Sequence, residues 1–101
     1  MPLSQAVGDR GGEATTLNNM GNVYDSLGEK QTALEYLEQA LPLSQAVGDR
    51  GGEAITLYSL AFLQRSQGNL KESLTLIENS IAIVEIMTFK YQVYYSINYT
   101  T

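Results

Sequence analysis

The sequence predicts an all-α protein built of antiparallel helix-turn-helix repeats stacked as a short α-solenoid. Three observations carry this. Residues 2–14, P-L-S-Q-A-V-G-D-R-G-G-E-A, recur letter for letter as residues 42–54, an offset of 40. An identity of that length is a duplication, and a period in this range marks stacked units rather than one closed core. Apolar residues between the copies fall at i, i+3, i+4 and i+7, the spacing of a helix with one buried face. Finally, Leu27-Gly28-Glu29-Lys30 and Gln67-Gly68-Asn69 interrupt these periodic stretches and fold each back on itself.

In chain order, residues 1–8 form the C-terminal part of a repeat helix, with Met1 to Val7 as its last turns. Gly8 ends it and Asp9 starts the next, a pattern repeated at Gly48 and Asp49. The first hairpin spans residues 9–48. Its first helix, from about Gly11 to Leu27, buries Leu17, Met20, Gly21 and Tyr24. Its second, from about Lys30 to Val47, buries Ala33, Leu34, Leu37, Ala40 and Leu41. Gly21 and Ala33 are small where the two backbones cross. Pro42 lacks the N–H that would bond to the Glu38 carbonyl and its ring clashes there, so a kink or a break is expected. Gly11-Gly12 and Gly51-Gly52 weaken the first turns by about 1 kcal/mol per glycine relative to alanine, which predicts soft connectors. Glu13 and Glu53 suit the positive ends of their helix dipoles.

The second hairpin, residues 49–87, repeats the scheme in degenerate form. Leu57, Leu60, Ala61 and Gln64 replace the first buried face, and Ser73, Leu74, Ile77, Ser80 and Ile81 the second. Residues 88–101 form a tyrosine-rich tail without proline, Y-Q-V-Y-Y-S-I-N-Y at its centre. That composition favours strand or aggregation as much as helix, but Ile77, Ile81, Val84, Tyr91 and Tyr95 line up as one helical stripe, so the helix is expected to run into the tail.

The pattern Leu17-x-x-Met20-Gly21-x-x-Tyr24, then Gly28, Ala33-x-x-x-Leu37 and Ala40, resembles a tetratricopeptide repeat. Leucines stand where that family commonly has tryptophan and phenylalanine. The 40-residue spacing with G-D-R-x-x-E-A connectors resembles the longer-helix variety of kinesin-light-chain-like, Pins/LGN-like and bacterial multi-repeat proteins. The resemblance covers about residues 1–85 and implies a right-handed solenoid whose concave surface is formed by the first helix of each hairpin. It further implies a non-catalytic module that binds a peptide or a partner protein in that groove. Subtracting core positions leaves Thr15, Asn18, Asn19, Asn22 and Asp25 on the first helix and Ile55, Tyr58, Ser59, Phe62 and Arg65 on its counterpart. Asparagine amides both donate and accept, so Asn18, Asn19 and Asn22 can pair with the backbone of an extended peptide. Tyr58 and Phe62, four apart, can cradle an apolar side chain; equally, they can pack on the tail or a neighbouring helix. Relatives that clamp a C-terminal carboxylate use lysine and arginine on this face, and only Arg65 is available here.

Other function classes find little support. Eleven acidic against six basic residues give a net charge of -5, with no basic stripe to meet phosphates, so nucleic acid is not an expected partner. There is no histidine and no cysteine, which removes the commonest general base, metal ligand and thiol nucleophile. Glu35 and Glu38 share a helical face as ordinary solvated charges, and Ser44, Ser59 and Ser66 have no base beside them. No G-x-x-x-x-G-K loop is present. Neither catalysis, a cofactor nor a metal is therefore expected. The start, Met1-Pro2-Leu3-Ser4-Gln5, lacks the features of a signal peptide, and the apolar run Ile81 to Met87 is short and broken by Glu85. A cytoplasmic protein without membrane contact is the expectation, and Asn98-Tyr99-Thr100 then has no use as a glycosylation acceptor.

The alternative to a peptide-binding groove is self-assembly. About three stacked repeats are usually needed for stability, whereas only two hairpins are complete here. Identical connectors permit one chain's unit to replace its copy in another. A homodimer or higher stack, domain-swapped or not, is expected on this reading, with Tyr91, Tyr94 and Tyr95 or the first hairpin at the interface.

Overall fold

The structure, a computed structural model, describes residues 10–99. Four helices follow one another: α1 Arg10–Ser26, α2 Lys30–Ala46, α3 Arg50–Ser66 and α4 Leu70–Tyr99. The fold is all-α, two antiparallel helical hairpins stacked side by side as a short solenoid. The helix expected over Met1 to Val7 and the turn at Gly8-Asp9 lie outside the described residues.

Helices start every 20 residues, so two helices and two turns make up the 40-residue repeat. Each turn closes on a glycine in the left-handed region: Gly28 at φ 82°, Gly48 at 70° and Gly68 at 84°. The next residue's N–H then reaches back five positions, Glu29 to Tyr24, Asp49 to Ser44 and Asn69 to Gln64, each at 2.9 Å. This satisfies a carbonyl that the finished helix leaves open. An L side chain in that conformation costs about 1–2 kcal/mol, which is why the position takes glycine. Asp49 adds a second signal: its Oδ1 accepts from the Gly52 N–H at 2.9 Å, capping α3. A Cβ on Gly52 would run into the Asp49 carboxylate, so the bare glycine leaves room for the cap.

The same rhythm explains why α4 is longer. At the equivalent positions stand Thr88 in place of Gly48 and Phe89 in place of Asp49. With neither a left-handed residue nor a capping carboxylate, nothing stops the helix, and α4 runs for 30 residues to Tyr99. Its last 13 residues, 87–99, project about 20 Å past the point where α2 ends in the first hairpin.

Within the first hairpin, α1 and α2 touch through small residues. A Cβ on Gly21 would lie 2.7 Å from Leu37 Cγ and 3.3 Å from the Ala33 carbonyl oxygen. Tyr24 and Tyr36 stack across the same contact, ring centroids 5.3 Å apart and nearly parallel at 7°. In the second hairpin serines take the small positions. Ser73 Oγ donates to the Ala61 carbonyl at 2.8 Å and Ser80 Oγ to the Ala54 carbonyl at 2.9 Å. Both serines are buried, and these cross-helix bonds make their hydroxyls affordable there.

The core passes from one hairpin to the next. Ala33 and Leu37 of α2 cluster with Leu60 and Leu63 of α3, flanked by Tyr24, Leu34, Leu41 and Leu76. Leu41 and Leu76 also pack on Ala54, Leu57 and Ile83, joining the hairpins into one apolar layer. The radius of gyration is 15.7 Å, against about 13 Å for a compact domain of about 100 residues. The extended shape follows from side-by-side stacking and the projecting end of α4.

Three expectations need correction. α2 is unbroken from Lys30 to Ala46 with Pro42 inside it. Pro42 is exposed, so water can satisfy the freed Glu38 carbonyl. Leu74 and Ile81 are not buried but 60% and 50% exposed; the inward stripe of α4 is Ser73, Leu76, Ser80 and Ile83, with Ile77 half-buried. Met20, expected in the hairpin core, is 37% exposed. Each of the three exposed residues sits on the outer side of its hairpin, and the pattern of apolar residues alone does not say which apolar face a neighbour covers.

Candidate functional site

α1 and α3 are the first helices of their hairpins and lie on the same side of the molecule. Between them opens a hollow of about 280 Å³. Thr15, Asn18, Asn19 and Asn22 line it from α1, Ile55 and Thr56 from α3, and Ala14 and Ser44 lie deeper. Thr56 Oγ1 donates to Asn18 Oδ1 at 3.3 Å, so one asparagine helps hold the two helices in register. Asn19 and Asn22 are exposed and line the hollow.

Ile55 is where the character of the surface changes. It lines the polar hollow and also two apolar ones beside it. The larger, about 440 Å³, lies between the start of α3 and the far part of α4, with Val84, Met87 and Tyr91 as walls. The smaller, about 260 Å³, is bounded by Ile55, Tyr58, Ser80 and Val84. A face with amides at one end therefore passes through Ile55 into an apolar trough at the other. Tyr58 and Phe62 rest against one another, centroids 5.2 Å apart, and both remain half exposed.

The remaining expected residues stand elsewhere. Asp25, at the end of α1, is paired with Lys30 across the α1–α2 turn; such an exposed pair contributes about 0–1 kcal/mol. Ser59 is half-buried beside the trough-lining Tyr58, and Arg65 is exposed near the end of α3. Tyr91 serves as a trough wall, while Tyr94 and Tyr95 are exposed farther along α4. Tyr91, Tyr95 and Tyr99 form a ladder of ring contacts, 6.2 Å and 4.9 Å between centroids. Sequence reasoning did not assign Val84 and Met87 to the groove. Val84 belongs to the helical stripe from Ile77 to Tyr95 and stands at the counterpart of Ser44, which lines the first hairpin's hollow, whereas Met87 lies just past the counterpart of Ala46, where α4 continues.

Among the described residues the one buried carboxylate, Glu53, is held by Arg50 Nη1 at 3.0 Å and Gln45 Nε2 at 3.3 Å, tying the end of α2 to the start of α3. Among the described residues, no group of three or more histidine, cysteine, aspartate or glutamate residues converges as a metal site, and no helix is long and apolar enough to cross a membrane. No curated protein and no solved structure matches the chain. A family model described as "Tetratricopeptide repeat" matches residues 1–46 and again residues 14–86. With repeated helical hairpins, close small-residue crossings and this extent of match, the chain belongs to the tetratricopeptide repeat family, whose members generally serve as protein–protein interaction modules.

Proposed function

We propose that this chain is a non-catalytic docking module that holds an extended peptide segment of a protein partner along the α1–α3 face. The observation that carries the reading is the continuity at Ile55 between the asparagine-lined hollow and the apolar trough. Asn19 and Asn22 offer donors and acceptors to a peptide backbone. Tyr58, Val84 and Met87 offer an apolar seat for one or two anchor side chains, which commonly carry most of the binding energy. A net charge of -5 disfavours nucleic acid and acidic peptides and favours a segment with basic flanks. The 40-residue period supports kinship with the long-helix members of the family, and the cysteine-free composition suits a cytoplasmic setting.

Peptides selected by this chain from a random displayed library provide the test. Asn22→Ala combined with Tyr58→Ala removes their binding while far-UV circular dichroism stays unchanged. Amidating the peptide C-terminus leaves binding intact, because Arg65 alone does not make a carboxylate clamp. Undiminished binding by the double variant would remove the groove assignment.

Self-association is the second reading. It is favoured by the projecting end of α4, where Phe89, Tyr91, Tyr94, Tyr95, Ile97 and Tyr99 are all exposed.

A further inference from the structure

The two hairpins begin alike, Arg10–Ala14 matching Arg50–Ala54 letter for letter, and differ in what they show to the groove. Thr15, Asn18, Asn19, Asn22 and Ser44 line the first hairpin's hollow even with α3 stacked alongside. These positions therefore face the groove whatever helix stands next to a hairpin. Their counterparts forty residues on are Ile55, Tyr58, Ser59, Phe62 and Val84. The four on α3 fall at i, i+3, i+4 and i+7, one helical face. Ile55, Tyr58 and Val84 line the apolar hollows, and Phe62 rests ring to ring on Tyr58. Every one of these positions is polar in the first hairpin, whereas in the second only Ser59 lacks a large apolar or aromatic side chain.

Charge is missing from both halves. Eleven acidic and six basic residues are spread over the chain, yet none lines any of the three hollows. Glu53 is taken up by Arg50 and Gln45, and Asp25 by Lys30. Glu85 and Lys90 adjoin Val84 and Tyr91 in α4, are exposed, and line none of these hollows. A charged side chain seated here would leave water without meeting a counter-ion, which costs far more than seating an apolar or amide group. Asn19 and Asn22 both donate and accept, so they match side-chain amides and hydroxyls as well as a peptide backbone.

Resting on the docking reading above, we infer that the seated segment is uncharged and bipartite. A stretch bearing amides or hydroxyls lies over α1 and continues into a large apolar anchor between α3 and α4. The basic flanks favoured by the net charge lie beyond the hollows, where water and salt screen them.

Peptides enriched on the whole chain from a random displayed library are the probe. Each position of an enriched peptide is changed singly to alanine, lysine and glutamate, and binding is measured by fluorescence anisotropy in low and high salt. Positions where alanine weakens binding are the seated ones. There, lysine and glutamate both bind about tenfold or more below the parent peptide and weaker than alanine, and salt does not restore them. Tyr58→Lys supplies a counter-ion, so a peptide with glutamate at the anchor position binds this variant about threefold or more better than wild type. Truncating the anchor couples to Tyr58→Ala and truncating the amide residue couples to Asn22→Ala, whereas the crossed pairs are additive. Far-UV circular dichroism is unchanged in all these variants, since Asn22 and Tyr58 are not core residues. Seated positions that accept lysine or glutamate as well as alanine, no gain with Tyr58→Lys, or an anchor coupled to Asn22 would each overturn the inference. A library that enriches nothing overturns the docking reading and this inference with it, whereas charged residues at seated positions overturn this inference alone.

Discussion

Gly21→Ala adds a single methyl group at the closest approach of α1 and α2. In an unconstrained helix interior this exchange stabilises by about 1 kcal/mol. Here the new Cβ would sit 2.7 Å and 2.8 Å from Leu37 Cγ and Cδ2 and 3.3 Å from the Ala33 carbonyl oxygen. Leu37 cannot swing aside, being 1% exposed and wedged among Ala33, Leu60 and Leu63. The Ala33 oxygen is backbone, so relief requires α1 to move away from α2 and to loosen the Tyr24–Tyr36 stack. Overpacking of this kind costs about 1–3 kcal/mol, more than the helical gain where the clash is with core and backbone. A net loss of up to about 2 kcal/mol follows, lowering Tm by up to roughly 15 °C in a domain of this size. Gly51→Ala is the control. Its Cβ would meet Asp49 Oδ1 at 3.7 Å and Met87 Cε at 3.8 Å, ordinary contacts, so it stabilises by about 0.4–1 kcal/mol. Denaturant titration of both variants at low concentration measures the difference. If Gly21→Ala stabilises as Gly51→Ala does, the close crossing is not a structural constraint and the reasoning fails.

Two further predictions concern where helices begin and end. Asp49→Ala removes the acceptor for the Gly52 N–H, and the loss of this cap costs about 1 kcal/mol in denaturant unfolding; an unchanged midpoint would contradict the capping role. Thr88→Gly with Phe89→Asp restores the stop signal of the first hairpin, so α4 ends near Met87. Amides of residues 90–99 then lose hydrogen-exchange protection, whereas those of residues 70–85 keep it. Retained protection throughout the tail would refute the explanation given for its length.

Much of this architecture was legible from residues alone. The duplicated segment and the apolar spacing of Leu17, Gly21 and Tyr24 follow from helical geometry, and so does the small-residue crossing at Gly21 and Ala33. Gly28, Gly48 and Gly68 mark the turns because one backbone conformation is needed at each reversal. What could not be read was the identity of neighbours. Leu74 and Ile81 have the same periodicity as the covered Leu34 and Leu41, yet differ in exposure because none of the described helices lies on them. Pro42 was expected to disturb α2, but an exposed carbonyl finds water and the helix continues. The groove was only half legible for a related reason. Subtracting the core singles out Asn19, Asn22 and Tyr58, which line these hollows, and Val84 stands at the counterpart of Ser44, whereas Met87 enters only because α4 continues past the counterpart of Ala46.

The most direct measurement is the backbone amide spectrum of isotope-labelled chain titrated with a peptide it selects. Binding along the α1–α3 face shifts Asn19, Asn22, Ile55 and Tyr58 together with Val84, and leaves Glu35, Glu38 and Gln39 on the outer side of α2 unmoved. Shifts confined to α2, or to the turns at Gly28 and Gly68, would contradict a groove running through Ile55.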